Sequence, residues 1–273
     1  MLSSHGRFIW YVLLTTDPEA AKAFYTGVVG WGTRDASMPS LPYTVFTVGE
    51  TLVSGCMDLS EAARRKGERP RWIGYVGVDD VDATADRFKH LGGAVHVPPQ
   101  DILNMSRVSF VADPQMATLA LVKWLNAGHE QPSELRGPGR VGWHELLAAD
   151  AEKAWAFYSE LFGWQKAEAD NDLIGAYRLF AAGGQTIGGM YAKPPMVPVP
   201  FWLYYFNVGD INAAAKRVEA ASGQILWGPI EVPGGNWIVH CSDPQGAVFA
   251  LLGNNGIGYF ERVTSRQEAQ RIR

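Results

Sequence analysis

The sequence predicts an α+β fold of four βαβββ units arranged as two tandem halves. Three observations predict it: an internal repeat, a second motif that holds the halves in register, and a recurring order of strand, helix and further strands. Residues 10–31 (WYVLLTTDPEAAKAFYTGVVGW) laid on 143–164 (WHELLAADAEKAWAFYSELFGW) agree at 11 of 22 positions, at an offset of 133 set by Tyr25 and Tyr158. Asp113-Pro114-Gln115 matches Asp243-Pro244-Gln245 at an offset of 130, so the halves stay aligned apart from three residues lost in between. At 273 residues the chain has the length of about two domains of ~150 residues each.

The first unit opens with a strand at Ile9 to Leu14, after which Asp17 caps a helix that has Pro18 at its first position and runs to Gly30. Tyr43 to Val48 and Thr51 to Met57 form a hairpin around Gly49-Glu50. In the second unit a strand at Trp72 to Val78 precedes a helix whose Val81, Ala85, Phe88 and Leu91 line one face, with Gly92-Gly93 stopping it. Val108 to Val111 and Thr118 to Val122 then flank Asp113-Pro114-Gln115-Met116 as another hairpin. The second half repeats this order, with Ile211, Ala214, Val218 and Ala221 as the helix face. Gly128, Pro132, Gly137, Pro138 and Gly139 lie among polar residues, which places one domain at 1–126, a linker at 127–139, a second domain at 140–253 and a tail at 254–273. Within that tail Ser265 and Glu268 have capping-box spacing, and the segment is read as a surface helix or a frayed end. The charged stretch Glu61 to Pro70 and the Pro-rich run Lys193 to Pro200 are read as connectors between units.

Composition narrows the function. With 24 basic against 28 acidic residues the net charge is -4, which argues against a nucleic-acid partner. Two cysteines, Cys56 and Cys241, make neither a disulfide framework nor a Cys-x-x-Cys site and suit a reducing compartment. No run of ~18 apolar residues and no signal-like start is present, so the expectation is a cytoplasmic protein with no membrane partner. The glycine-rich stretch Phe180 to Met190 has neither phosphate-loop pattern and is read as a tight hairpin, not a nucleotide site.

The repeated Asp-x-x-x-Ala-x-x-Phe-Tyr segment (Asp17, Ala21, Phe24, Tyr25, then Gly30; Asp150, Ala154, Phe157, Tyr158, then Gly163) opens the odd units. Together with the closing Asp-Pro turns, it resembles the vicinal oxygen chelate superfamily of glyoxalase I, extradiol dioxygenases and bleomycin-resistance proteins. The resemblance spans about Phe8 to Leu252 and implies two glyoxalase-like domains, each a curved mixed sheet around a cup. It also implies metal-ligand positions. In this chain they hold Trp10, Ile73 and Ala120 in the first half and Trp143, Leu203 and Ala250 in the second. None can coordinate a divalent ion, so the expectation is no metal cofactor at the usual place.

Side chains alternate along a strand, so if Trp143 lines the second cup then Glu145 and Leu147 do too, while a half-buried His144 points toward the helix layer. Glu145, matched by Val12 in the first half, is the candidate catalytic residue: a carboxylate in an apolar cup is a general base or acid, or else a polar anchor. Trp143, Leu147, Tyr205 and Trp237 in the second half, and Trp10 and Tyr75 in the first, are candidate ligand-binding residues. His240 and Cys241 match Phe110 and Val111 and are read as packing positions, since neighbours on a strand face opposite ways. Asp101 and Glu231 are read as solvated loop acids. The favoured function is binding of a small organic ligand or substrate in an aromatic-lined cup. A lyase or dioxygenase using unorthodox metal ligands or Glu145 as base is the alternative, and a homodimerising module is a third reading.

Overall fold

Each half folds into one eight-stranded mixed sheet, and the paired βαβββ units within it explain the strand order. The computed structural model describes residues 4–38, 41–103, 105–126, 136–167 and 177–256. In the first half, β1 (Phe8–Thr15), β2 (Gly32–Asp35), β3 (Thr44–Val48), β4 (Thr51–Asp58), β5 (Arg71–Gly77), β6 (Ala94–Ile102), β7 (Ser106–Ala112) and β8 (Thr118–Trp124) take the order β2-β3-β4-β1-β5-β8-β7-β6. β1 and β5, the first strands of the two units, pair antiparallel at the centre, and each pairs in parallel with the last strand of its own unit, β4 or β8. The second half repeats the arrangement with β9 (Val141–Ala148), β10 (Gln165–Lys166), β11 (Arg178–Ala182), β12 (Gln185–Ala192), β13 (Phe201–Asp210), β14 (Gln224–Glu231), β15 (Trp237–Ser242) and β16 (Val248–Asn254).

The helices form where their caps direct. α1 (Pro18–Val29) begins with Asp17 accepting the Ala20 N–H at 3.0 Å, and Gly30 at φ 85° ends it. α4 (Ala151–Phe162) repeats both devices with Asp150 and Gly163. α3 (Val81–His90) and α5 (Ile211–Ala220) bury the expected faces, Val81, Ala85 and Phe88 in one and Ile211, Ala214 and Val218 in the other.

Some elements escaped the sequence reading. The connector Glu61 to Pro70 contains the short helix α2 (Glu61–Arg65), capped by the Ser60 hydroxyl, with no buried residue to reveal it. β2 is exposed along its length and β6 carries Pro98-Pro99 at a sheet edge, so neither shows the alternation of a half-buried strand. Asp101 and Glu231 consequently lie on the edge strands β6 and β14 rather than in loops, and Asp101 accepts a 2.8 Å bond from the Arg107 guanidinium. Residues 127–135 of the linker and the stretch around Ser265, where a tail helix is expected, fall outside the described residues.

The main hydrophobic core lies between the two halves and draws on both. α1 packs against α5, and α3 against α4. The motif residues tie this interface together: Tyr25 donates to Asp243 at 3.1 Å and Tyr158 donates to Asp113 at 3.0 Å, one bond in each direction. Each aspartate also receives two backbone N–H groups of its own turn, so the buried carboxylates are well supplied with donors. Trp72 and Trp202 donate to the same two tyrosines and belong to this core, not to the cups.

Candidate functional site

Alternation along β9 divides its side chains between two environments. Leu146 enters the shared core, while Leu147 packs with Leu203, Tyr205, Ile238 and Ala250 in a separate cluster that Trp143 flanks, at the place where the resemblance sets the second cup. His144 takes the core side. It is fully buried rather than half-buried, because it sits between the halves: Tyr11 donates to its Nε2 at 2.6 Å, its Nδ1 faces the Ile187 carbonyl at 2.6 Å, and Phe8 stacks on it. Burial holds its pKa down to about 4, so the ring is neutral, with the proton on Nδ1.

Glu145 takes the cup side and is 6% exposed. Its Oε1 accepts from Tyr177 at 2.8 Å and its Oε2 accepts from Tyr205 at 2.8 Å. Trp143 Nε1 donates to the Tyr177 oxygen at 2.9 Å. On the far side of Tyr205, its hydroxyl lies 2.8 Å from His240 Nε2, and the half-exposed Trp227 ring rests 5.0 Å from the imidazole. Burial raises the Glu145 pKa against the pull of its two phenol bonds, and burial pushes His240 down to about 4.

The backbone seats these groups. Gly189 on β12 pairs with Glu145, and a Cβ there would overlap the Tyr177 ring, so the glycine lets that tyrosine lie across the strand and reach the carboxylate. β13 sets Leu203 opposite Glu145 and Tyr205 opposite Trp143.

The first cup is built alike but without the charge. Trp10 donates to Tyr43 at 2.9 Å as Trp143 does to Tyr177, and Gly55 makes the same room for Tyr43. Tyr75 and Phe110 meet with centroids 5.8 Å apart at 78°, against 5.7 Å and 78° for Tyr205 and His240. Val12 stands where Glu145 does.

The structure brings Glu145, Trp143, Leu147 and Tyr205 together in one cluster of the second half, and Trp10 and Tyr75 together in the matching cluster of the first. Trp237 is corrected: it shares the parity of Val239 and Cys241 on β15 and packs against the shared core. His240 is also corrected, for the same alternation turns it away from buried Cys241 and into the cup. Tyr177 was missed, although its match to Tyr43 pointed to it, and so was Trp227.

The metal-ligand positions that the resemblance implied lie in the cup clusters and at their edge, but Trp10, Ile73, Ala120, Trp143, Leu203 and Ala250 supply no donor for a divalent ion. Among the described residues no three His, Cys, Asp or Glu side chains converge. One carboxylate and one imidazole joined through a phenol do not fit a resident divalent ion of the usual kind.

Comparison with known proteins agrees with this architecture. The family described as Glyoxalase/Bleomycin resistance protein/Dioxygenase superfamily matches residues 7–121 and 140–251. CFP32 of Mycobacterium tuberculosis, whose name assigns it provisionally to the glyoxylases, is 36% identical over 246 residues, 89% of this chain and 93% of that protein. The anthracycline biosynthesis protein DnrV of Streptomyces peucetius is 30% identical over 267 residues, 90% of this chain and 93% of its own. Among solved structures, the 2,3-dioxygenase LapB of Pseudomonas sp. KL28 superposes with a TM-score of 0.62 at 10% identity, covering 93% of this chain and 94% of that one. The Mn(II)-bound glyoxalase of Novosphingobium aromaticivorans gives 0.60 at 16%, covering 90% and 81%; at such identities the likeness concerns the fold.

Proposed function

Because the chain belongs to the glyoxalase/bleomycin resistance protein/dioxygenase superfamily, we propose that its second cup binds a small organic molecule, with Glu145 as the polar anchor and without the superfamily's usual metal. One observation carries this reading: Glu145 is a buried carboxylate held by two phenols and by no cation among the described residues, at a place where the first half has Val12. Burying a carboxylate without a cation is costly. The first half builds the same strand without one, so the fold does not need it, and a ligand is what the carboxylate serves.

Trp143, Tyr177, Tyr205 and Trp227 offer flat surfaces around the anchor, which suits a planar molecule with a hydroxyl edge. The naming of DnrV for anthracycline biosynthesis favours the same class. The test is thermal denaturation with a dihydroxyanthraquinone and simple phenols. At a hundred times the dissociation constant a ligand adds roughly 2.7 kcal/mol to the wild-type protein, and Glu145→Val, which copies the first half, loses that gain. Equal stabilisation of the two proteins would contradict the reading.

A second reading, an enzyme resembling the lyases or dioxygenases of this superfamily, is favoured by the raised pKa of Glu145, which brings a carboxylate nearer the range where a general base works at neutral pH. A turnover found with any substrate should then fall by about 10²–10⁴-fold in Glu145→Gln, and an unchanged rate would remove Glu145 from the chemistry.

A further inference from the structure

We propose that Tyr205 and His240 form a proton path between Glu145 and the mouth of the second cup, making the site one for a weakly acidic ligand, a phenol or an enol, whose proton it takes up and passes outward. The ligand class rests on the reading above, but the path belongs to the protein without ligand and is tested there.

The hydrogen-bond directions carry the argument. The indole N–H of Trp143 can only donate, so the Tyr177 oxygen accepts it and the Tyr177 proton goes to Glu145 Oε1. Oε1 is thereby committed as an acceptor, and Oε2 is the oxygen left to carry a proton. Oε2 faces Tyr205 at 2.8 Å, and the same hydroxyl lies 2.8 Å from His240 Nε2.

A phenol has one proton to give. When Tyr205 donates to a Glu145 carboxylate, it can only accept from His240, so Nε2 bears the proton. When Glu145 is protonated on Oε2 and donates to Tyr205, Tyr205 donates to a bare Nε2, and the neutral ring carries its proton on Nδ1. The protonation of Glu145 and the tautomer of His240 are two ends of one chain.

The transfer balances. A proton arriving from the mouth bonds to Nδ1, the Nε2–H bond breaks as a new bond to the Tyr205 oxygen forms, and the original Tyr205 proton moves to Oε2. Glu145 gains one proton while tyrosine and imidazole gain none, and the reverse order exports a proton that Glu145 has taken from a ligand. His240 suits the outer end because it is only partly buried, beside half-exposed Trp227, and its one hydrogen bond among the described residues is through Nε2. Beside Tyr205 itself, the titratable groups facing the path are Tyr177 ahead of β11 and Tyr191 on β12; the group β14 brings against His240 is Trp227, which does not titrate.

The first half supplies the contrast within one molecule. Tyr75 meets Phe110 as Tyr205 meets His240, and Val12 replaces Glu145, so both ends of the path are missing while the packing persists. The path is therefore an addition to the scaffold and not a consequence of it.

The test is a pH titration of the full chain with ¹⁵N-labelled histidine and ¹³C-carboxyl-labelled glutamate, read by NMR. His240 is assigned by the signals lost in His240→Phe and Glu145 by those lost in Glu145→Gln. The expected result is that the neutral His240 ring changes from the Nε2–H to the Nδ1–H tautomer as falling pH protonates Glu145, and that Glu145→Gln and Tyr205→Phe each hold one tautomer throughout. A wild-type His240 that keeps its tautomer while Glu145 titrates would overturn the proposal, as would a switch that persists in Glu145→Gln. Failure of every phenol to bind would instead strike the ligand reading and leave this result standing.

Discussion

Glu145 and Val12 stand at the same place in two copies of one strand, as do His240 and Phe110, and these two exchanges give the second cup a carboxylate and an imidazole where the first has a valine and a phenylalanine. They also set a pH dependence. Burial holds His144 and His240 down to about 4, against 6.5 for a free histidine, so between these values the unfolded chain binds more protons than the folded one. Their contribution is complete above about pH 6.5 and is lost as the pH falls toward 4. Burial raises Glu145, Asp113 and Asp243, which works in the opposite sense: the folded chain holds those protons more tightly, so stability is gained as the pH falls through their raised values. Comparing His240→Phe with the wild type isolates one histidine. In urea unfolding at a series of pH values the variant is expected to lose less stability between pH 6.5 and 4, and an identical loss would contradict the assignment of His240 to a desolvated cup. At this scale Glu145 and Leu147 were legible from alternation once the resemblance set Trp143 in the cup, whereas Tyr177, which bonds Glu145 from outside that strand, was not. His240 was not, because its match to Phe110 spoke for packing, and the packing is indeed shared while the chemistry is not.

At the scale of elements, Gly189 shows how β12 serves the site by leaving room for the Tyr177 ring. Gly189→Ala sets a methyl group against the Tyr177 ring, which must leave Glu145; overpacking of this kind costs about 1–3 kcal/mol, and the same variant should weaken any ligand that Glu145 anchors. Wild-type stability and affinity together would show that Tyr177 is not held by this close approach. The capped helices were readable because Asp17 with Gly30, and Asp150 with Gly163, satisfy backbone groups whatever the surroundings. β2 and β6 were not, since exposed and edge strands owe their place to a neighbour's hydrogen bonds more than to any pattern of their own.

At the scale of the whole molecule, the duplication was legible because repeated motifs stand in the letters, but the contacts that two of their residues make run between the halves. Tyr25 reaches Asp243 and Tyr158 reaches Asp113, so the tyrosine of each motif bonds to the closing turn of the other half. Tyr25→Phe or Tyr158→Phe leaves a buried carboxylate short of one donor, at a cost of about 1–3 kcal/mol each. Since the main core is common to both sheets, calorimetry should show one unfolding transition, in the wild type and in either variant. Two resolved transitions would mean that the halves stand independently.

On the proposed reading the second cup takes the ligand and the first, with Val12 and Phe110 in place of Glu145 and His240, does not. The most direct measurement is a titration of the full chain, labelled with ¹³C at tyrosine, with a dihydroxyanthraquinone, followed by NMR. The expected result is that the Tyr177 and Tyr205 signals move together and saturate, that Tyr43 and Tyr75 stay in place, and that Glu145→Val abolishes the movement. Shifts confined to Tyr43 and Tyr75, or shifts at Tyr205 that survive Glu145→Val unchanged, would contradict it.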